Sequence, residues 1–197
     1  SDDMDAIPNE RYELLCMFFG DTLRRIYMHQ NLLSVRDAMT LYLVDPLTKI
    51  YNRRGFERNF VKLTDWAKKE NYNYALVSLD LDRLKEINDN FGHKAGDLAI
   101  CGVASSLTSS LREEEICARI GGDEFVAVLL LDESDRIERF RQDFECCIAE
   151  INSAVEEDYI VEASIGVFVV NEQLTIAEYL HEADILMYEN KRKKKMN

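Results

Sequence analysis

An α+β or α/β sandwich, with helices packed over a sheet that contains at least one hairpin, is the fold class this sequence predicts. Three observations carry it. Of the 197 residues, 47% are hydrophobic, enough to bury a full core. Beyond residue 46, apolar residues alternate between helical and strand spacing. Two strand-like runs flank Gly121-Gly122, a two-residue connection that permits the positive φ a tight hairpin turn requires.

The elements follow in order. From about residue 10 to 43 there is no Pro and only one Gly. Two stripes at helical spacing, Phe19, Leu23, Ile26 and Leu33, then Leu32, Val35, Met39 and Tyr42, predict a long N-terminal helix there. The stripes do not share one register, which fits an interrupted coiled-coil seam; a helix packed on its own domain fits equally. Asp45-Pro46 ends it, because the residue before proline is pushed out of the helical region. Phe56, Phe60, Leu63 and Ala67 mark the next helix, and Trp66 is assigned to its core. YALVSLDLD (74–82) marks a strand, and Leu98, Cys101, Ala104, Leu107 and Leu111 mark a helix leading to the hairpin. Ile137, Phe140, Phe144, Ile148 and Ile151 give a further helical stripe, YIVEASIGVFVV (159–170) a strand, and Ile176, Tyr179, Leu180, Ala183 and Met187 a last helix.

Composition narrows the function classes. Lys and Arg total 24 against 37 Asp and Glu, a net charge of −13, which argues against general nucleic-acid binding and against attraction to an anionic membrane. Five of the basic residues form one run, KRKKK at 191–195. No apolar stretch approaches the ~20 residues needed to span a bilayer, and no signal-peptide layout opens the chain, so direct membrane insertion is not expected and a cytoplasmic setting is. The first residue is Ser, as expected of a piece cut from a longer protein, soluble or membrane-tethered. Five cysteines, none spaced C-x-x-C, indicate reduced core thiols rather than a disulfide framework or zinc site.

Chemistry concentrates in the acids. Asp80 and Asp82 end one strand, while Asp123 and Glu124 begin another. If those strands are neighbours, three or four carboxylates converge at one edge and repel one another. A hard divalent cation such as Mg²⁺ removes that repulsion, and two such ions can clamp a phosphoryl displacement. Acids beside a Gly-Gly turn are, by themselves, commonly solvated loop-tip charges. Their company points further: DLDRLKEINDNFGHKAGD (80–97) adds Lys85, Asn88, His93 and Asp97 in one dense polar stretch. An Asn and an Asp suit the edge of a base, and a Lys or free helix amides suit a phosphate. His29 and His181 receive no role.

GGDEF at 121–125 resembles the signature of the GGDEF domains, the diguanylate cyclases that join two GTP into cyclic di-GMP with release of pyrophosphate. DPLTKIYNRR (45–54) resembles the family's D-x-L-T-G-L-x-N-R-R, residues 80–97 its D-x-D-x-F-K-x-x-N-D-x-x-G-H-x-x-G-D, and ASIGV (163–167) its S-I-G-V strand. The resemblance covers residues 45–197 as a catalytic domain, with 1–44 as a helical linker or signalling segment. It implies a five-stranded, mainly antiparallel sheet wrapped by helices, similar to the palm of nucleotidyl cyclases and polymerases. It also implies Mg²⁺, or Mn²⁺ in its place, held by Asp80, the main-chain carbonyl of Leu81, Asp123 and Glu124, with Asp123 taking the proton of the 3′-hydroxyl. Lys85 would face the phosphates and transition state. Asn88 and Asp97 would recognise guanine, His93 would stand in the substrate site, and Lys191 and Lys195 would meet the triphosphate. Implied partners are GTP, a second copy of the chain for catalysis and an upstream sensor domain, without nucleic acid.

Departures from the pattern are specific. Lys49 replaces a glycine, Ile50 a leucine, Leu84 a phenylalanine, and Lys195 an arginine. The family's inhibitory product site, R-x-x-D, reads Arg112-Glu113-Glu114-Glu115. Most of KRKKK otherwise fits a solvated helix end. The competing reading is a catalytically silent domain that binds GTP or a cyclic dinucleotide to regulate a partner. A mixed or linear dinucleotide product and a purely structural domain are the remaining rivals.

Overall fold

In the strand around Leu76, Tyr74 and Leu76 face one side of a sheet while Val77, Leu79 and Leu81 face the other. Both sets are buried, as in a central strand covered on both faces. The computed structural model describes residues 42–154, 159–170 and 175–196, with the side chains of 193, 195 and 196 outside that description. All but the last two residues of the N-terminal helix expected over residues 10–43 lie outside it, and so does His29. The elements are β1 (Tyr51–Asn52), α1 (Arg53–Lys69), β2 (Asn73–Leu81), α2 (Leu84–Phe91), α3 (His93–Ser109), β3 (Ile116–Arg119), β4 (Glu124–Leu131), α4 (Arg136–Ala154), β5 (Ala163–Val169) and α5 (Ile176–Met196).

The five strands lie in the order β1-β3-β4-β2-β5. Only β1 and β3 run parallel; β3–β4, β4–β2 and β2–β5 are antiparallel. The sheet is therefore the mainly antiparallel one of an α+β fold. Phe56, Phe60, Leu63 and Ala67 of α1 and Tyr179 and Ala183 of α5 cover one face. Ile87 of α2, Ala99 and Val103 of α3, and Phe140 and Phe144 of α4 cover the other. Phe56, Phe125 and Phe140 are fully buried, and truncating any one to Ala would cost about 3–5 kcal/mol. Among the described residues no helix is long and apolar enough to cross a membrane.

Several expectations shift. The strand expected over 159–170 is shorter, Ala163–Val169, and the polar stretch after β2 contains a helix of its own, α2. α3 buries Ala99, Ile100, Val103, Ala104 and Leu107, whereas Leu98, expected on the inner stripe, is 63% exposed. Trp66 leaves the core: it is 39% exposed and stacks on Tyr72 with ring centroids 5.5 Å apart. Helical position explains both, since each lies next to the buried face rather than on it. Of the described cysteines only Cys117 is buried, and burial pushes its thiol up to about 11; Cys146 is exposed.

The connection between β3 and β4 is not a two-residue turn. It runs over 120–123, and neither Gly121 nor Gly122 has positive φ. Hydrogen bonds shape it instead. The Ile120 and Gly121 amides both donate to the Glu124 carbonyl, at 2.9 and 3.4 Å. Arg119 donates through Nε and Nη2 to the Gly122 carbonyl at 3.1 and 2.8 Å, and through Nη1 to Asp45 at 3.2 Å.

Candidate active site

The β2–β4 register sets Asp80 directly opposite Glu124. Side chains alternate along strands, so both carboxylates share the sheet face covered by α5. From α5, Lys191 donates to Asp80 and lies 3.6 Å from Asp82. Asp123 stands at the tip of the loop, its carbonyl accepting the Leu81 amide at 2.9 Å. Leu81 itself turns a fully buried side chain into the core, so only its main chain can serve the edge.

Electrostatics bind these groups into one unit. Burial pushes the Asp80 carboxyl above its ordinary value; Lys191 opposes this, while Asp123 and Asp82 add to it. Burial alone would lower the Lys191 ammonium, but its bond to Asp80 and the charges of Asp80, Asp82 and Asp123 hold it above the usual lysine value. One ammonium thus faces three acids, and at Asp80 it does not offset burial and repulsion.

Gly121 has a local purpose. A Cβ there would lie 2.4 Å from Oε2 of Glu124, whose carboxylate folds back over the glycine. At Gly122 a Cβ would meet nothing, and nothing in the structure explains the second glycine.

The α2–α3 corner holds the residues expected to read a base. Half-buried Asn88 rests on Gly96, where a Cβ would lie 2.1 Å from its Oδ1. Asp97 follows Gly96 on α3 and is exposed, as are His93 at the start of that helix and Lys85 in the first turn of α2. Arg83, at the mouth of α2, is held in the left-handed region at φ 58°.

Between this corner and α5 opens a cleft of about 420 Å³ lined by Asp82, Arg83, Glu86, Glu162, Lys191 and Lys194. Lys194 escaped the sequence reading, although its i,i+3 spacing from Lys191 was a usable signal. The side chain of Lys195 lies outside the described residues. On the other side of Glu124, His181 lines a smaller cleft of about 220 Å³ with Arg53, Ser78 and Asp184, a placement that its solitary position in the sequence did not indicate.

Arg112 and Glu115 are both engaged within the chain. The Glu115 carboxylate is buried and accepts from Arg136 Nε, the Leu130 amide and the Arg112 amide, each at 2.9 Å, and also from Arg136 Nη2. Arg112 pairs with Asp132 at 2.5 Å and with Glu133 at 3.5 Å.

Asp80, Asp123 and Glu124 offer hard oxygen donors suited to Mg²⁺. Among the described residues no three His, Cys, Asp or Glu side chains already converge as a metal cage. Asp80 and Glu124, directly opposite in the β2–β4 register, offer the one or two carboxylates that Mg²⁺ takes.

A family model described as "Diguanylate cyclase, GGDEF domain" matches residues 42–197. The chain is 32% identical over 193 residues to the diguanylate cyclase DgcP of Escherichia coli, covering 94% of this chain and 57% of DgcP. It therefore spans little more than half of that relative's length. In structure it is similar to the GGDEF domain of TpbB from Pseudomonas aeruginosa, with 33% identity and a TM-score of 0.68 over 76% of this chain and 89% of that one. Its fold also matches the coiled coil and GGDEF domain of DgcB from Caulobacter crescentus, in complex with c-di-GMP, at 22% identity and a TM-score of 0.75 over 91% and 95% of the two chains.

Proposed function

The chain belongs to the diguanylate cyclase GGDEF domain family, and we propose that it condenses two GTP into cyclic di-GMP, each chain of a dimer presenting one GTP. The observation that carries this reading is the register that sets Asp80 against Glu124, with Asp123 at the loop tip beside them. Mg²⁺, held by Asp80, Glu124, Asp123 and the Leu81 carbonyl, would supply Lewis-acid stabilisation of phosphate charge.

The chain's own residues do the rest. Asp123 accepts the proton of the attacking 3′-hydroxyl, a group far too weakly acidic to ionise unaided. Asn88 and Asp97 orient guanine from the α2–α3 corner, and the acceptor character of the Asp97 carboxylate suits the N–H donors of guanine. His93 stands at the start of the same helix, beside the nucleotide. Lys191 holds a positive charge at the acid edge, and Lys85 and Lys195 add charge toward the phosphates. Each 3′-oxygen then bonds to the α-phosphorus of the GTP held by the partner chain as the bond from that phosphorus to the α,β-bridging oxygen breaks and pyrophosphate leaves, so productive geometry requires two chains face to face. An upstream sensor would act by setting that approach.

The test is incubation of concentrated protein with GTP and Mg²⁺, followed by chromatography for cyclic di-GMP and pyrophosphate. Asp123→Ala should lower the rate by roughly a hundredfold or more. GTP binding without any product in the unsubstituted protein would refute the cyclase reading in favour of a regulatory nucleotide-binding domain.

A further inference from the structure

The run KRKKK reads from sequence as mostly a solvated helix end, but among its described side chains Lys194, like Lys191, lines the cleft. Its Nζ donates to the Ala163 carbonyl at 2.6 Å and lies 3.5 Å from Oδ2 of Asp82. Lys191, three residues earlier on the same helix face, stands 3.6 Å from the other oxygen of that carboxylate. Asp82 is a fixed anchor: it is 8% exposed, and the fully buried Ser164 hydroxyl lies 2.9 Å from both of its oxygens. One buried carboxylate therefore sets two ammonium groups side by side on the wall of the 420 Å³ cleft.

Both ammonium groups have acids beside them: Lys191 donates to Asp80, Asp82 is shared between the two lysines, Arg83 is joined to Glu162 at 2.5 Å, and Glu86 lines the same cleft. An ammonium has three N–H donors. On Lys194 one is used by the Ala163 carbonyl and one is directed at Asp82, which leaves one for a ligand in the cleft. Two point charges on one cleft wall suit the oxygens of a polyphosphate, and a chain of net charge −13 needs local cations to admit one.

We propose that Lys194 is a binding residue for the polyphosphate of the nucleotide, paired with Lys191, and that Asp82 is the positioning residue that sets the two. The proposal rests on the nucleotide reading above and extends it to a residue that the sequence did not single out.

Calorimetric titration with inorganic tripolyphosphate and with GTP, each in Mg²⁺, tests it. Lys194→Gln keeps a donor for the Ala163 carbonyl but removes the charge, so the fold is preserved while binding is read. The expected result is about a tenfold loss of affinity for both ligands. Lys194→Arg should stay within about threefold of the original affinity, and so should Arg192→Ala, which removes a charge from an exposed neighbour outside the cleft. Unchanged affinity in Lys194→Gln overturns the proposal, as does an equal loss in Arg192→Ala, which would assign the effect to net charge. Tripolyphosphate binding without GTP binding would sink the nucleotide reading and leave Lys194 in place. Binding of neither ligand would sink both.

Discussion

Single residues in this domain act through space as much as through charge. Lys49 sits in the left-handed region at φ 63°, where an L side chain costs roughly 1–2 kcal/mol. Glycine avoids that cost but adds chain entropy to the unfolded state, so Lys49→Gly should stabilise the fold by about 0.5–1 kcal/mol. A urea midpoint that falls instead would contradict this account of the turn. At Gly96 a methyl group would strike the far end of the flexible Asn88 side chain, leaving the fold intact but displacing the group proposed to read the base. Gly96→Ala should weaken GTP binding about tenfold with little change in melting temperature, and undiminished affinity would remove Asn88 from the site. Arg112 and Glu115 make the opposite case, because their charges are already spent on Asp132, Glu133 and Arg136. Cyclic di-GMP should therefore not bind at Arg112 with micromolar affinity; such binding, abolished by Arg112→Ala, would overturn the prediction.

Between elements, the contact that controls the site is β5 against α5. A Cβ at Gly166 would lie 2.3 Å from both the Ala183 carbonyl oxygen and the Met187 amide nitrogen, and 2.8 Å from the Met187 Cα. All three are backbone atoms, so no side-chain rotation relieves the clash and the helix itself must move. Gly166→Ala should cost about 3 kcal/mol, read as a lowered urea midpoint. Because α5 also carries Lys191 and Lys194 past Asp82, GTP affinity should fall with it. Loss of stability with unchanged affinity would separate the helix seat from the cation pair.

Across the whole molecule, the site is assembled from distant parts of the chain. Asp80 comes from β2, Glu124 from β4, Ser164 from β5 and the lysines from α5, and antiparallel pairing of three adjacent strands brings them together. A one-residue slip between β2 and β4 would turn the two facing carboxylates to opposite faces. The proposed chemistry joins two such sites from two chains. Product formed per mole of protein should therefore rise with protein concentration until dimers saturate, and a rate strictly proportional to protein at all concentrations would argue against paired half-sites.

Sequence alone determined the elements whose information is local. The 3.6-residue period of α1, α4 and α5 and the apolar runs of β2 and β4 needed no partner to be legible, and the acids were recognisable by their positions at strand ends. It could not determine β1, whose two residues carry no period and form a strand only by pairing with β3, more than sixty positions away. Nor could it settle the shape of the 120–123 loop. Two adjacent glycines read as a tight turn, but Arg119 and Glu124 hold a longer one whose φ angles are ordinary. Tertiary structure added Lys194, because the position of a buried carboxylate, delivered by another strand, sets it beside Lys191 on the wall of the cleft.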